Sequence, residues 1–115
     1  MLKTKVGYSQ NIDAFNSGVE TARMANVIEN PQVGLLFTSC VQDQNKIMEG
    51  IKSVLGDVPV VGCTSSAAIC TQDGYLNKET GYSGMMLFGG ECEVVTAGSR
   101  KTNEEPREIG RRIAK

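Results

Sequence analysis

Alternation between helix-period segments and short apolar runs is the feature that most restricts how this chain can fold. Val33-Gly34-Leu35-Leu36-Phe37 and Val58-Pro59-Val60-Val61-Gly62-Cys63 are nearly continuous apolar runs of strand length. The first of them, carried on to Ser39, has the pattern of a strand buried on both faces. Thr4-Lys5-Val6-Gly7-Tyr8-Ser9 reads as a shorter first strand. Between them, Phe15, Val19, Ala22 and Ile28 recur near helical spacing and predict a helix over about 13–28. Asn30-Pro31 ends it, because the residue before proline avoids helical geometry. Ile47, Ile51, Val54 and Leu55 predict a second helix over about 42–55, stopped by Gly56 and the Asp57-Val58-Pro59 turn. Strand, helix, strand, helix, strand at this spacing specifies parallel strands joined by right-handed crossovers.

After Thr64 helical periodicity gives way to short β-compatible runs. Ala67 to Thr71 reads as a strand, Gln72 to Thr80 as a polar loop containing Asp73-Gly74, and Gly81 to Phe88 as extended. Gly89-Gly90 followed by Cys92-Glu93-Val94-Val95-Thr96-Ala97 predicts a hairpin. Thr102-Asn103-Glu104-Glu105 has capping-box spacing, and Ile109 and Ile113 follow one turn apart, so a third helix is expected from about Thr102. The fold class is therefore α/β: a parallel β-α-β-α-β core extended by antiparallel strands into a mixed sheet, with a C-terminal helix. The sequence reaches Lys115 before any stop signal, so the expectation is a single domain over 1–115, truncated in its last helix.

Twelve basic against thirteen acidic side chains leave a formal charge of -1, which gives no positive field for phosphate backbone or anionic lipid. Nucleic acid and membrane insertion are excluded on this reading, and with no leader or membrane-length apolar run the chain is expected to be cytoplasmic. Cys40, Cys63, Cys70 and Cys92 form no C-x-x-C pair, and the chain has no histidine, so structural zinc is not expected. Reduced thiols in the core are. Asp13, Asp43, Asp57 and Asp73 are scattered, and the glycines make no G-x-G-x-x-G or Walker loop, so neither a metal nor a cofactor is implied.

Chemistry is best sought at the carboxyl ends of the parallel strands, where open α/β sheets bind ligands. All three runs end in hydroxyl clusters: Tyr8-Ser9, Thr38-Ser39-Cys40 and Cys63-Thr64-Ser65-Ser66. Two precede helices, whose first amides lack internal partners and favour an anionic group such as a carboxylate or phosphate. Any one cluster is explained by the preference of Ser and Thr for caps and turns. Convergence of three at one edge points to a small-molecule site.

Val33-Gly34-Leu35-Leu36-Phe37-Thr38-Ser39, Gly50-Ile51 and above all Val60-Val61-Gly62-Cys63-Thr64-Ser65-Ser66-Ala67 resemble the amino-terminal part of the FIST sensory domains. Val6-Gly7-Tyr8-Ser9 and Gly18 are similar too, so the resemblance runs from about Lys5 to about Ser99. It implies a signal-transduction module that senses small ligands such as amino acids and is usually joined to a carboxyl-terminal companion region. Gly62, Cys63, Thr64 and Ser65 fall on its characteristic motif. The candidate ligand-binding set is Tyr8, Ser9, Thr38, Ser39, Gly62, Cys63, Thr64, Ser65 and Ser66, with no catalytic residue. The alternatives are a nucleotide-binding domain and a thiol enzyme built on Cys63, which lacks a histidine base. A third is an interaction module whose apolar Met85-Met86-Leu87-Phe88 run or exposed strand edge is covered by the companion region or by a second copy in a homodimer.

Overall fold

The computed structural model describes residues 1–100 and 103–114. The elements run β1 (Leu2–Ser9), α1 (Ala14–Ala25), β2 (Val33–Ser39), α2 (Gln44–Leu55), β3 (Val60–Ser65), β4 (Ile69–Thr71), β5 (Gly74–Leu76), β6 (Ser83–Gly90) and α3 (Pro106–Ala114). A four-stranded sheet has the order β1-β6-β2-β3, and β4 and β5 form a separate hairpin. The mixed α/β class is as expected: β2 and β3 pair in parallel, and β6 pairs antiparallel with both β1 and β2. Thus β1, β2 and β3 share one direction, although β6 is inserted between the first two.

α1 and α2 each begin on an aspartate cap. Asp13 accepts from Asn16 N at 2.9 Å, and Asp43 accepts from Asn45 N at 3.0 Å. Gly56 caps α2 with φ +64°, its N–H reaching Lys52 O. The two crossovers step in the same direction across the sheet, and connections of one hand then place both helices on one face. Leu36, Met85 and Leu87 meet Ala22, Ala25, Ile47 and Ile51 there in one buried cluster. Among the described residues no helix lies on the other face, where Phe37 and Met86 are more than a third exposed, so β2 is fully covered on one side only. Within Met85-Met86-Leu87-Phe88, Met85 and Leu87 are core, while Met86 looks outward.

Backbone contact holds this layer together. A Cβ at Gly18 would lie 2.1 Å from Ile47 O, one at Gly50 would lie 2.2 Å from Phe15 O, and one at Gly7 would lie 2.1 Å from Thr21 O. Such proximity also corrects the expected inner stripe of α1. Its buried residues are Ser17, Gly18, Thr21, Ala22 and Ala25, whereas Phe15 is exposed. Only small side chains fit a helix lying this close to its neighbours. On α2 the expected stripe holds, with Ile47, Ile51 and Leu55 buried.

The second half departs further from expectation. Gln72-Asp73 turns the β4–β5 hairpin, with Gly74 already paired to Thr71, rather than opening a loop over 72–80. Gly89 and Gly90 end β6 instead of making a turn, and residues 91–100 form no strand. A Cβ at Gly89 would meet Glu29 O and Asn30 O at under 3 Å, so these glycines serve close approach of the 29–30 loop. Gly90 N–H donates to Glu29 O at 2.7 Å. α3 opens at Pro106, a residue suited to the first helical position. Thr102, the expected cap, lies outside the described residues. Cys40, Cys63 and Cys70 are exposed and Cys92 is half-buried, contrary to the core-thiol expectation. They sit in a turn, on an edge strand, on the hairpin and after β6, not beneath the helices.

The hairpin rests on the outer face of the sheet. Ile69 lies over Gly84, where a Cβ would come within 2.4 Å of Ile69 Cδ1. Tyr8 Oη donates to Asp73 Oδ2. This hydrogen bond, followed by burial and the negative charge of Asp73, raises the Tyr8 pKa above the ordinary phenol value.

Gly50→Ala should destabilise the protein by about 2 kcal/mol in chemical denaturation, because overpacking outweighs the gain in helix propensity of roughly 1 kcal/mol. Gly110→Ala, where a Cβ meets nothing within 4 Å, should instead raise helix content by circular dichroism. A neutral or stabilising Gly50→Ala would contradict the close helix contact. For Tyr8, a raised folded-state pKa means that the hairpin contact is fully present below the ordinary phenol range and lost as pH rises through the raised value. The tyrosinate absorbance difference between wild type and Tyr8→Phe should therefore titrate above about 10. Asp73→Ala should bring it back down; an unmoved midpoint would remove Asp73 as the cause.

Candidate ligand groove

The carboxyl-edge hydroxyls are linked by register. Ser9 pairs with Ser83, Ser83 with Thr38, and Thr38 with Thr64, so one row of four hydroxyl residues crosses β1, β6, β2 and β3. Alternation puts the row on the helix side, the side of Leu36 and Leu87. Three of the four sit beneath a helix and bond to it. Ser9 donates to Glu20 of α1 and accepts from Asn11 N at 3.1 Å. Ser83 Oγ lies 2.7 Å from Ser17 Oγ and 2.6 Å from Thr21 Oγ1, all three residues being fully buried. Thr38 donates to Gln44 Oε1 at the start of α2. Thr64 is different. Among the described residues no helix stands over it, and it is exposed.

Thr64 instead borders a groove of about 290 Å³ between α2 and the β2–β3 pair, lined by Leu36, Thr38, Gln44, Met48, Val60, Val61, Gly62, Cys63 and Thr64. Among the described residues no charged side chain lines it. A second hollow of about 370 Å³ shares Met48 and Val60 with it and ends at Lys52 and Asp57, so the two lie along one trough beside β3. Gly62 forms part of the wall, and a Cβ there would lie 1.7 Å from Leu36 O. The glycine thus makes room for the β2 backbone, and Gly62 itself is exposed.

The structure thus brings Thr38, Gly62 and Thr64 together on the helix side, while Cys63 borders the groove from the strand edge with its side chain alternating to the outer face beside Phe37, and the other predicted residues are set apart. Ser39 and Ser65 are register partners at the end of the sheet, but their hydroxyls serve turns: Ser39 Oγ accepts from Val41 N at 3.2 Å, and Ser65 Oγ donates to Ala68 O at 2.7 Å. Ser65 O also accepts from the buried Tyr82 hydroxyl at 3.1 Å. Ser66 is exposed in the following bend. Tyr8 faces the hairpin on the opposite side of the sheet, and Ser9 lies at the far edge under α1. The helix N-terminal amides expected to attract an anion are taken by the carboxylates of Asp13 and Asp43. A negative ligand there would meet like charge.

Several residues of this edge escape sequence reading. Ser17 and Thr21, four apart on α1, signal a polar stripe on its inner face, and Ser83 meets them from β6. Gln44 fixes the groove's upper wall by donating to Ser39 O and Gln42 O at 2.8 Å each. Gln42, 8% exposed, latches the two helix-leading loops through Nε2 to Asn11 O at 2.8 Å. Its Oε1 is buried without a partner among the described residues, which offsets part of what the latch contributes. Among the described residues no cluster of metal-ligating side chains exists, and no helix is long and apolar enough to cross a membrane.

A family model described as the FIST N domain matches residues 32–115. The match covers the groove and its edge strand and reaches beyond the region where the sequence resemblance ends, but it leaves β1 and α1 outside. Among solved structures, a proposed translation initiation inhibitor from Salmonella typhimurium has the same arrangement. The TM-score is 0.55 over 76% of this chain and 80% of that chain, at 15% sequence identity, so the likeness is one of fold alone. No curated protein matches the sequence. With the matched span carrying the Gly62 to Ser65 motif and most of the sheet, the chain belongs to the FIST N-domain family.

Proposed function

We propose that this chain is a non-catalytic sensory domain of a signal-transduction protein, and that its groove beside β3 binds a small polar molecule such as an amino acid. The observation that carries the reading is the hydroxyl row, in which Ser9, Ser83 and Thr38 are engaged by helices while Thr64 faces the groove. Gly62 is exposed beside it, and Met48, Leu36 and Val60 supply an apolar floor. Apolar walls with a few placed polar groups are the usual composition of a small-ligand site. A ligand lying along the trough would reach hydroxyls at one end and the Lys52 and Asp57 charges at the other, which suits a molecule carrying both signs. Cys63 alternates to the outer face beside Phe37, and no base or cation is among the residues lining the groove it borders, so the arrangement does not favour thiol chemistry.

A thermal-shift screen against the proteinogenic amino acids, other small carboxylates and nucleotides tests this. At about 100-fold excess over Kd, an amino acid that binds the folded state should add about 2.7 kcal/mol and raise Tm by on the order of 10 °C. Thr64→Val, which keeps the shape of an exposed residue, should leave the unliganded Tm nearly unchanged and abolish the shift. Stabilisation by nucleotides alone, or a shift that survives in Thr64→Val, would overturn the reading.

A further inference from the structure

We infer that the trough selects an α-amino acid with a long, uncharged side chain ending in a carboxamide, glutamine being the proteinogenic example, an assignment that rests on the function proposed above. Charge is distributed unevenly along the trough. Lys52 and Asp57 lie at the same end, beside Gly56 at the close of α2. Both are exposed, and among the described residues neither makes an ion pair. A cation and an anion at one end complement a head that carries carboxylate and ammonium on a single carbon. The last carbonyls of α2 add partial negative charge for the ammonium. A peptide separates its two charges, and among the described residues no charged side chain lines the other end to receive one of them.

Length and hydrogen-bonding capacity at the far end set the side chain. Gln44, Met48 and Lys52 follow one another at four-residue intervals along one face of α2, each step about 6 Å. A head held between Lys52 and Met48 leaves one such step to the hydroxyl end, past the half-buried Met48 and Val60. A charge on that stretch would lose water and find no partner, which excludes acidic and basic side chains. The polar groups beyond it are Thr38, Gln44 and Thr64. Gln44 is committed, its Oε1 accepting from Thr38 and its Nε2 donating to Ser39 O and Gln42 O. Thr38 spends its proton on Gln44 and keeps only acceptor capacity. The Thr64 hydroxyl makes no hydrogen bond among the described residues, so it is free both to donate and to accept. An acceptor beside a free hydroxyl is matched by a group that donates and accepts at once, as a carboxamide does; a carboxylate only accepts and an ammonium only donates. Three C–C bonds carry the glutamine amide roughly 5 Å from Cα, close to one helical step. Asparagine stops one bond short.

Isothermal titration calorimetry on the full chain tests this with L-glutamine, L-glutamate, L-asparagine, L-norleucine and glycyl-L-glutamine. Glutamine should bind about tenfold or more tightly than each of the other four, because each spoils one match: neutrality, length, the amide, or the joined head. Lys52→Met and Asp57→Asn, both at exposed positions, should each weaken glutamine binding about fivefold or more while keeping the far-UV circular dichroism of the wild type. Equal or tighter binding of any of the other four, or a glutamine affinity indifferent to both variants, would overturn the assignment. A thermal shift by a different amino acid that is lost in Thr64→Val would overturn it too, while leaving the sensory reading in place. If neither glutamine nor any other amino acid binds, both fall.

Discussion

The close approach of α1 and α2, backbone against backbone at Gly18 and Gly50, is the constraint from which the rest of the architecture follows. Each glycine fits against a carbonyl of the opposite helix, and Gly7 lets α1 settle equally close on β1. Helices held side by side in this way cover β1, β6 and β2 and bury Ile47, Ile51, Met85 and Leu87, each contributing on the order of 1.5–3 kcal/mol. They do not reach across β3. The trough beside that strand is therefore a consequence of how tightly the helices are drawn together, not of a missing side chain in the core.

Much of this was legible in local sequence pattern. β1, β2, α2 and β3 follow the apolar runs and the Ile47/Ile51/Leu55 stripe, because period and capping are local properties. Strand order is not local. Nothing in Ser83-Gly84-Met85-Met86 says that β6 inserts between β1 and β2, and without that insertion the sheet has no continuous hydroxyl row. α1 misled for a related reason. Phe15 and Val19 dominate a hydrophobicity pattern, but a close backbone contact selects Ser17, Gly18, Thr21 and Ala22 instead. The cysteines misled because an apolar strand was equated with a buried one, whereas β3 lies at an edge.

The candidate site was legible as three hydroxyl clusters but not as a division of labour. In space most of those hydroxyls are structural: they tie α1 and α2 to the sheet or close turns, each net hydrogen bond contributing about 1 kcal/mol. The anion expected at the helix N-termini is replaced by Asp13 and Asp43, so the chain supplies its own negative charge there. What remains for a ligand is the stretch from Gly62 to Thr64 beside Thr38 and Met48. Sequence motif and open groove coincide at that strand, and the sensory reading depends on it.

The most direct measurement is backbone-amide NMR of the labelled chain titrated with an equimolar mixture of the proteinogenic amino acids. The account predicts saturable shifts concentrated at Thr38, Met48, Gly62 and Thr64, with the Asp13 and Asp43 caps and the β4–β5 hairpin unmoved. Shifts centred on the caps or the hairpin, or none at all, would contradict it.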